Sequence, residues 1–543
     1  MGESPVTVTA SSTRADSEWE WDEEQQSDYP RAQPKAKTVM GVDHERWLRY
    51  VNHHLLRRKF DLKRLIIVAI AILTLGILIF EVTHHELYRL APFQQLGGIG
   101  AAEPPPSLPG QCTTWPVDEK GQYTPSQAHR NATTKLESFA PKGGWKKPAG
   151  IKIVALVFYG RKRTVDFLDC YLQQNLAANG GYLDDVRFMV HTNKEEDLKY
   201  LKQLISRRKQ HYHIMEPGMC SGYGCIWDSV VEDDTIYVKI DDDIIFIHPD
   251  AIPQLVHTRI ALPHPYAVSA NLVNSPLTGY EHFHVGAIHP FRPDPSDKPS
   301  HPAAESWRPS DKNPYPRSSL PKLDITNLGS INMDEEVYPG RPYYGHPFLL
   351  LEGDPFDLMR SPMGLNYLRG GEKGVEHMYG AAWKSWALSS QQQYSLLKNL
   401  EDNAMSRYFF GAPLSYPQNT NASAAALKHL PKTTDNAPGA EQLYDTQYKR
   451  YNLNFVALWG HDIKAALPIA EDDEQDITVT IPKRFHRPFV IDTRSVVGHL
   501  SFYPQHEGVR ETDLVDRWRA FANEMICKPD NQKSPFDLRC PGF

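Results

Sequence analysis

The stretch "TIYVKIDDDIIFIHPDAI", residues 235–252, decides the fold class because it places three consecutive aspartates between two apolar runs. The apolar pattern predicts a buried strand, and ligands of open α/β sheets bind at the carboxyl ends of the strands. Carboxylates are almost never fully buried unless they are paired or bind a metal ion. Asp241, Asp242 and Asp243 are therefore candidate functional residues.

Strand and helix patterns alternate around this stretch. The apolar run "IKIVALVFYG" (151–160) predicts a first strand, "DDVRFMVHT" (184–192) a second, and "YAVSANLVN" (266–274) one that follows the aspartates. Helical spacing predicts helices in "TVDFLDCYLQQNLAANGG" (164–181) and "KEEDLKYLKQLISRR" (194–208). Such alternation predicts an α/β domain with a mostly parallel sheet.

A membrane anchor is predicted near the N-terminus. The run "LIIVAIAILTLGILIF" (65–80) has no charge and no polar face, so we predict a transmembrane helix over 65–82. Seven Lys and Arg residues lie within 46–64, whereas only Arg89 follows the span within twenty residues. The positive-inside rule then predicts a cytosolic N-terminus and a signal-anchor, as in a single-pass type II membrane protein.

Composition divides the rest of the chain. Residues 1–64 are predicted to form a disordered cytosolic tail, 83–150 a lumenal stem rich in Pro, Gly and Ser, and 151–543 the folded domain. Nine prolines between residues 290 and 321 predict a Pro-rich insertion, which we assign to 290–345.

Features expected of a lumenal protein all follow the predicted span. Both N-x-S/T sequons, at Asn131 and Asn421, are predicted glycosylation sites. The six cysteines also follow it: Cys112, Cys170, Cys220, Cys225, Cys527 and Cys540. They permit fifteen pairings, from which we select only Cys527 with Cys540. The formal net charge is −7 and no basic stripe occurs outside residues 46–64, which excludes nucleic acid as a partner.

The three aspartates predict a metal site. Asp241 and Asp243 are two residues apart on a strand and share one side, whereas Asp242 points to the other. Two carboxylates on one side suit a hard cation such as Mg²⁺ or Mn²⁺. A turn whose aspartates cap the next segment is the alternative.

An apolar strand that ends in D-x-D, 90 residues after the start of a first strand at 151, resembles the glycosyltransferases with a GT-A fold, which is Rossmann-like. In that family the motif holds a metal ion, usually Mn²⁺, and the diphosphate of a nucleotide-sugar. The resemblance implies that Asp241 and Asp243 bind the metal ion and that Asp241 and Asp242 contact the donor.

Two further motifs carry the resemblance. The segment "ALVFYGRKRTVDFLDCYLQQNL" (155–176) is similar to the opening of family 2-like glycosyltransferases, which implies that Arg161 and Arg163 face phosphate. A solvated basic turn is the alternative there. In "RSVVGHLSF" (494–502), His499 follows the last core strand, where the family supplies another metal ligand.

The segment "AEDDEQDITVTIPKRFHRPFVI" (470–491) resembles the later E-D-x-D-L motif of these enzymes. The resemblance implies Glu474 as the general base that takes the proton of the acceptor hydroxyl, with Asp473 as second choice. The order here is D-E rather than E-D, so which acid acts stays open. An acidic first turn of a helix is the alternative for either residue.

Together these motifs predict a metal-dependent, hexosyltransferase-like enzyme of the Golgi or endoplasmic reticulum membrane. It would transfer a sugar from a nucleotide-sugar to a glycan, glycoprotein, lipid or small-molecule hydroxyl. Inversion is the preferred outcome because a separate base is predicted, and retention is the alternative. The alternative is a lumenal, non-catalytic sugar-binding protein or a pseudoenzyme with a structural metal ion. A haloacid-dehalogenase-like phosphatase is disfavoured because Ile245 stands where its D-x-D-x-T/V motif needs Thr or Val.

Overall fold

The computed structural model describes residues 135–215, 223–298, 306–320, 342–353, 384–416, 422–430 and 441–533. All of them belong to one compact unit, residues 102–543. The predicted tail, the predicted transmembrane helix, most of the predicted stem and both sequons lie outside the described residues. Within the ranges given above, no helix is long and apolar enough to cross a membrane.

The domain is built on a mixed sheet, and a separate two-stranded sheet joins β7 to β8. The strands are β1 (Lys152–Tyr159), β2 (Asp185–Val190), β3 (Tyr212–Met215), β4 (Thr235–Asp241), β5 (Ile244–Ile247), β6 (Ala267–Val273), β7 (Phe291–Pro293), β8 (Phe348–Leu350), β9 (Leu443–Asp445), β10 (Phe455–Trp459) and β11 (Phe489–His499). Apart from Lys152, every residue of β1 is buried, as expected of a strand covered on both faces.

Helices of very different lengths accompany the sheet. They are α1 (Lys162–Asn175), α2 (Glu195–Ser206), α3 (Ala251–Ala261), α4 (Pro276–His284), α5 (Trp386–Glu401), α6 (Ala424–Leu427), α7 (Gly460–Ala466), α8 (Asp473–Gln475), α9 (Ile481–Phe485), α10 (His506–Glu511) and α11 (Leu514–Met525). A π-helical turn, Asp476–Thr480, joins α8 to α9.

The strand order in the main sheet is β3-β2-β1-β4-β10-β6-β11-β5, with β9 paired to β11. Strands β3, β2, β1 and β4 are parallel, and β11 is parallel to β6. Strand β10 runs antiparallel to both β4 and β6. The predicted α/β class is therefore confirmed, as are the predicted strands that became β1, β2 and β6 and the helices that became α1 and α2.

The chain turns sharply within the three aspartates. Strand β4 ends at Asp241 and lies between β1 and β10, whereas β5 begins at Ile244 and pairs with β11. The prediction of one continuous strand over this stretch is wrong. The side-to-side alternation that placed Asp241 and Asp243 together therefore does not apply, because Asp242 and Asp243 form a turn.

The predicted Pro-rich insertion contains one short strand. Strand β7 begins at Phe291 and pairs antiparallel with β8, which lies just after residue 345. The rest of the insertion that the structure describes holds only two 3₁₀ turns, Pro309–Asp311 and Arg317–Ser319. The many prolines limit regular structure because they lack a backbone N–H.

The last residues of the predicted stem lie against the domain. Asp250, at the start of α3, accepts hydrogen bonds from the Phe139 backbone N–H at 2.5 Å, Ser138 Oγ at 3.0 Å and Trp145 Nε1 at 2.8 Å. Arg494 donates to the Phe139 carbonyl at 3.0 Å. Three donors satisfy one buried carboxylate, so this contact fixes residues 138–145 on the domain.

A disulfide joins Cys170 of α1 to Cys527, just after α11. The pairing of Cys527 with Cys540 that we selected from the sequence is therefore wrong. Cys170 and Cys527 are 357 residues apart in the chain, so nothing in the local sequence signals their contact.

We expect digestion of the unreduced full-length chain to release two peptides joined through Cys170 and Cys527, detected by mass spectrometry. The Cys170→Ala/Cys527→Ala variant should lose about 2–5 kcal/mol of unfolding free energy, because a cross-link between distant residues restricts the unfolded chain. A peptide pair joined through Cys527 and Cys540 would contradict this structure.

Candidate active site

A cleft of 680 Å³ opens at the carboxyl ends of β1, β2 and β4. Nearly all residues that the sequence singled out line it: Arg161, Asp241, Asp242, Asp243, Asp473, Glu474 and His499. Arg163 lies in the first turn of α1, close enough to His506 of the cleft to help lower the pKa of that imidazole. A larger hollow, of 840 Å³, lies between α1, α2 and residues 530–533, and none of the described candidate residues line it.

Asp242 fixes the loop that follows β1. Its carboxylate accepts a hydrogen bond from the Gly160 backbone N–H at 2.8 Å and two from Arg161 Nε at 3.0 and 3.2 Å. Its backbone carbonyl accepts from Thr164 Oγ1 in the first turn of α1. Asp242 is only 4% exposed, so these contacts occupy its carboxylate, and they hold Arg161 in the cleft.

Asp243 and His499 form the centre of the cleft. His499 Nε2 lies 3.5 Å from Asp243 Oδ2, and Arg161 donates to the same oxygen at 2.8 Å. The Asp243 Oδ1 atom is buried and finds no hydrogen-bond partner within the described structure. The Leu500 backbone N–H donates to the Asp243 carbonyl at 2.9 Å, so the turn after β4 is bound directly to the end of β11.

The hydrogen bond at the other ring nitrogen fixes the tautomer of His499. His499 Nδ1 lies 3.1 Å from the Asn274 backbone carbonyl. A carbonyl only accepts, so Nδ1 carries a proton and the neutral ring directs the Nε2 lone pair at Asp243. Two acceptors then face each other, and this arrangement needs a cation or a proton between them.

The charges of this pair shift both pKa values in the expected directions. Burial alone would lower the pKa of His499, but the Asp243 carboxylate, the Asn274 carbonyl and Asp241 together outweigh burial, and the pKa of His499 is raised. Burial alone would raise the pKa of Asp243, but His499 and Arg161 outweigh it and hold that pKa well below its usual range. Asp243 is therefore ionised at neutral pH.

Asp241 contacts different partners from Asp243. Its two carboxylate oxygens accept from Lys239 Nζ and from Asn454 Nδ2, the latter at 2.8 Å. Lys239 is 4% exposed, lies over the Phe158 ring at 4.4 Å and also donates to the Leu453 carbonyl at 2.8 Å. Burial raises the pKa of Asp241 to about 6, although Lys239 opposes the shift.

Asp472, Asp473 and Glu474, the last three of four consecutive acids that begin at Glu471, have separate roles. Asp472 caps α8 by accepting from the Gln475 backbone N–H at 3.1 Å. Arg450 donates to Asp472 at 2.7 Å and to Glu474 at 2.8 Å. Asp473 is buried and accepts from Trp227 Nε1 at 3.0 Å. Burial raises the pKa of Asp473 above its usual value, although Lys239 and the Trp227 N–H oppose this.

Sequence reasoning missed Lys239, Trp227, Asn274, Arg450 and Asn454. A lysine inside the apolar run "TIYVKI" was a usable signal, since lysine is almost never fully buried without a partner. The others gave none, because their partners are distant in the chain. Two exposed tyrosines also line the cleft: Tyr223, which stacks on His191 at 4.8 Å, and Tyr503, which is 92% exposed.

The residues at Asp243 suit a divalent cation. The Asp243 carboxylate, whose Oδ1 has no partner in the described structure, is an oxygen ligand of the kind that Mn²⁺ and Mg²⁺ prefer, and the His499 imidazole is a nitrogen ligand of the kind that transition metals accept. We predicted three metal ligands, and the structure brings two of them, Asp243 and His499, into contact. In the described part of the chain, no group of three or more His, Cys, Asp or Glu side chains is arranged to hold a metal ion.

No family model and no curated protein matches this chain. It is similar to crystal structures of glucosyl-3-phosphoglycerate synthase from Mycobacterium tuberculosis. The complex with Mn²⁺, UDP and glucosyl-3-phosphoglycerate is 17% identical, over 23% of this chain and 45% of that chain, with a TM-score of 0.18. The complex with Mn²⁺, UDP and phosphoglyceric acid is 17% identical, over 29% of this chain and 58% of that chain, with a TM-score of 0.20. These matches cover about half of the synthase.

We expect Lys239→Met to lower the free energy of unfolding by about 3 kcal/mol, because it leaves the Asp241 charge without its cation. The double variant Lys239→Met/Asp241→Asn should regain part of that loss. Urea unfolding of both single variants and the double variant measures the coupling.

The exposed pair Lys428–Asp234, whose side chains are each about half exposed, is the matched control and should show little coupling. Additive effects of the Lys239 and Asp241 substitutions would mean that the buried pair does not stabilise the fold.

Proposed function

We propose that this chain is a metal-dependent glycosyltransferase that moves a sugar from a nucleotide-sugar to an acceptor hydroxyl. The observation that carries the proposal is the Asp243–His499 pair, in which two cation ligands meet at the carboxyl end of a central strand with one carboxylate oxygen unpartnered. A cation held there by Asp243 and His499 would offset the negative charge of a departing nucleoside diphosphate. Mn²⁺ is our first choice and Mg²⁺ our second.

The positive groups of the cleft support a diphosphate as ligand. Arg161 lies just after the carboxyl end of β1, where Asp242 binds it, and a third of its side chain is exposed. Arg163 and Arg510 lie near His506 and help burial to lower its pKa to about 3. These fixed cations favour an anionic ligand beside Asp243. The rings of Tyr223 and Tyr503 offer flat surfaces for a base or a sugar.

We assign the general base to Asp473 rather than Glu474. Arg450 engages Glu474, whereas Asp473 is buried with a raised pKa, as suits a base near neutral pH. Asp473 would take the proton of the acceptor hydroxyl. The acceptor oxygen then bonds to the anomeric carbon, and the bond to the diphosphate breaks with its electron pair on the leaving oxygen. A separate base favours inversion.

The compartment and topology are also proposals. We propose a type II protein of the Golgi or endoplasmic reticulum membrane whose domain is lumenal. The Cys170–Cys527 disulfide supports an oxidising compartment. The acceptor class stays open among glycans, glycoproteins, lipids and small molecules. The competing non-catalytic sugar-binding protein would need no buried base at Asp473.

We expect Mn²⁺ and one nucleoside diphosphate together to raise the melting temperature of the full-length chain, because a ligand bound only to the native state stabilises it. Asp243→Asn and His499→Gln should each abolish this rise. A panel of nucleoside diphosphates with and without Mn²⁺ measures it.

Matched controls are Asp492→Asn and His282→Gln, which change a buried carboxylate and a buried imidazole that do not line the cleft. Both should keep the Mn²⁺-dependent rise. If Asp243→Asn keeps it as well, the proposed metal site is wrong.

We expect Asp473→Asn to lower kcat about 10²–10⁴-fold while leaving nucleotide binding intact, because it removes the proton acceptor but keeps the shape. Glu474→Gln should lower kcat far less. Release of nucleoside diphosphate from the donor, with a panel of methyl glycosides as acceptors, measures both. The reverse order of the two effects would return the role of base to Glu474.

A further inference from the structure

Asn274 adopts a backbone conformation that few side chains tolerate. It follows the last residue of β6 and has φ = 68°, in the left-handed region that favours glycine. It is 1% exposed. Strained residues of this kind persist only where the surroundings fix them, and they cluster at functional sites.

Asn274 joins three separate segments around His499. Its carbonyl accepts from His499 Nδ1 at 3.1 Å. Its remaining bonds go to α5 and to residues after β11. The two Nδ2 hydrogens are shared among three acceptors: Ser389 Oγ at 2.9 Å, the Leu500 carbonyl at 3.0 Å and Gln505 Oε1 at 3.1 Å. The backbone N–H donates to Gln392 Oε1 at 3.1 Å, and Oδ1 accepts from Gln392 Nε2 at 3.3 Å.

We infer that Asn274 is a positioning residue for His499, and through it for a divalent cation held by Asp243 and His499. The Asn274 carbonyl keeps the proton on Nδ1 and so keeps the Nε2 lone pair directed at Asp243. The Asn274 side chain donates to the Leu500 carbonyl and thereby fixes the backbone next to His499. Groups that orient a metal ligand in this way affect affinity without touching the metal.

Asn271 provides the comparison with a merely structural asparagine. It lies three residues earlier, on β6, and is fully buried. Its Nδ2 donates to the Tyr408 and Thr493 carbonyls, both at 2.9 Å, and its Oδ1 lies 2.8 Å from His282 Nε2. Asn271 therefore has a similar set of bonds but none to His499, so both residues should matter for stability and only Asn274 for the cation.

The test is Mn²⁺ binding by the full-length chain, followed by electron paramagnetic resonance, for wild type, Asn274→Gly and Asn271→Gly. Glycine tolerates φ = 68° and adds no charge, so Asn274→Gly removes only the side-chain bonds. We expect it to weaken Mn²⁺ binding about 10–100-fold, as loss of such orienting groups does. Asn271→Gly should change binding less than about twofold while lowering the melting temperature similarly.

A milder pair of variants tests the same inference where Asn274→Gly does not fold. Gln392→Met, a change in α5, removes the two bonds that the Gln392 side chain makes to Asn274 and should weaken Mn²⁺ binding measurably. Ser395→Ala removes a buried hydroxyl of the same helix that bonds the His289 backbone instead, and it should leave binding unchanged.

The inference rests on the proposed metal site, and the outcomes separate the two. Wild-type chain that binds no Mn²⁺ overturns both. Wild-type chain that binds Mn²⁺, together with an Asn274→Gly variant that binds it equally well, overturns the positioning role of Asn274 alone.

Discussion

The hydrogen bonds between the Asp242 carboxylate and the loop after β1 hold the turn on which the cleft is built. Strand β4 lies in the centre of the sheet beside β1, but the next strand, β5, pairs with β11 at the other end. The chain must therefore reverse out of β4 within two residues. The Gly160 N–H and Arg161 fix that reversal through Asp242. This reversal places Asp243 at the end of β11, where the Leu500 backbone N–H donates to the Asp243 carbonyl.

The balance of charge in the cleft explains why the three aspartates differ. Lys239 neutralises Asp241, and Arg161 binds Asp242 from two of its nitrogens while reaching Asp243 with one. Of these three aspartates, only Asp243 has a buried carboxylate oxygen that finds no hydrogen-bond partner in the described part of the chain. Buried carboxylates need this compensation, because an uncompensated charge in the interior is costly. The one incomplete position is therefore where an added cation gains most.

The strands and helices around the first aspartate were predictable because their apolar residues recur with the period of a strand or helix. The turn within the three aspartates was not predictable, because "IDDDII" continues a strand pattern. Only the contacts with Gly160 and Arg161, which are distant in the chain, determine that the strand ends there. The resemblance predicted His499 as a metal ligand after the last core strand, and the structure has it as the last residue of β11. Its partner carbonyl at Asn274 was hidden, because that bond joins residues 225 apart. The same holds for Asn454 on Asp241, a separation of 213 residues.

Helix α1 couples the stability of the domain to the geometry of the cleft. Its first turn follows Arg161 and holds Asp242 through Thr164, while Cys170 in its middle is bonded to Cys527. Two buried aspartates of α1 also bind the C-terminal region. Asp166 lies 3.3 Å from Arg519, and Asp169 lies 2.6 Å from Lys533. Reduction of the disulfide would weaken this attachment and so loosen the support of Arg161. An oxidising compartment therefore favours an ordered cleft as well as a stable domain.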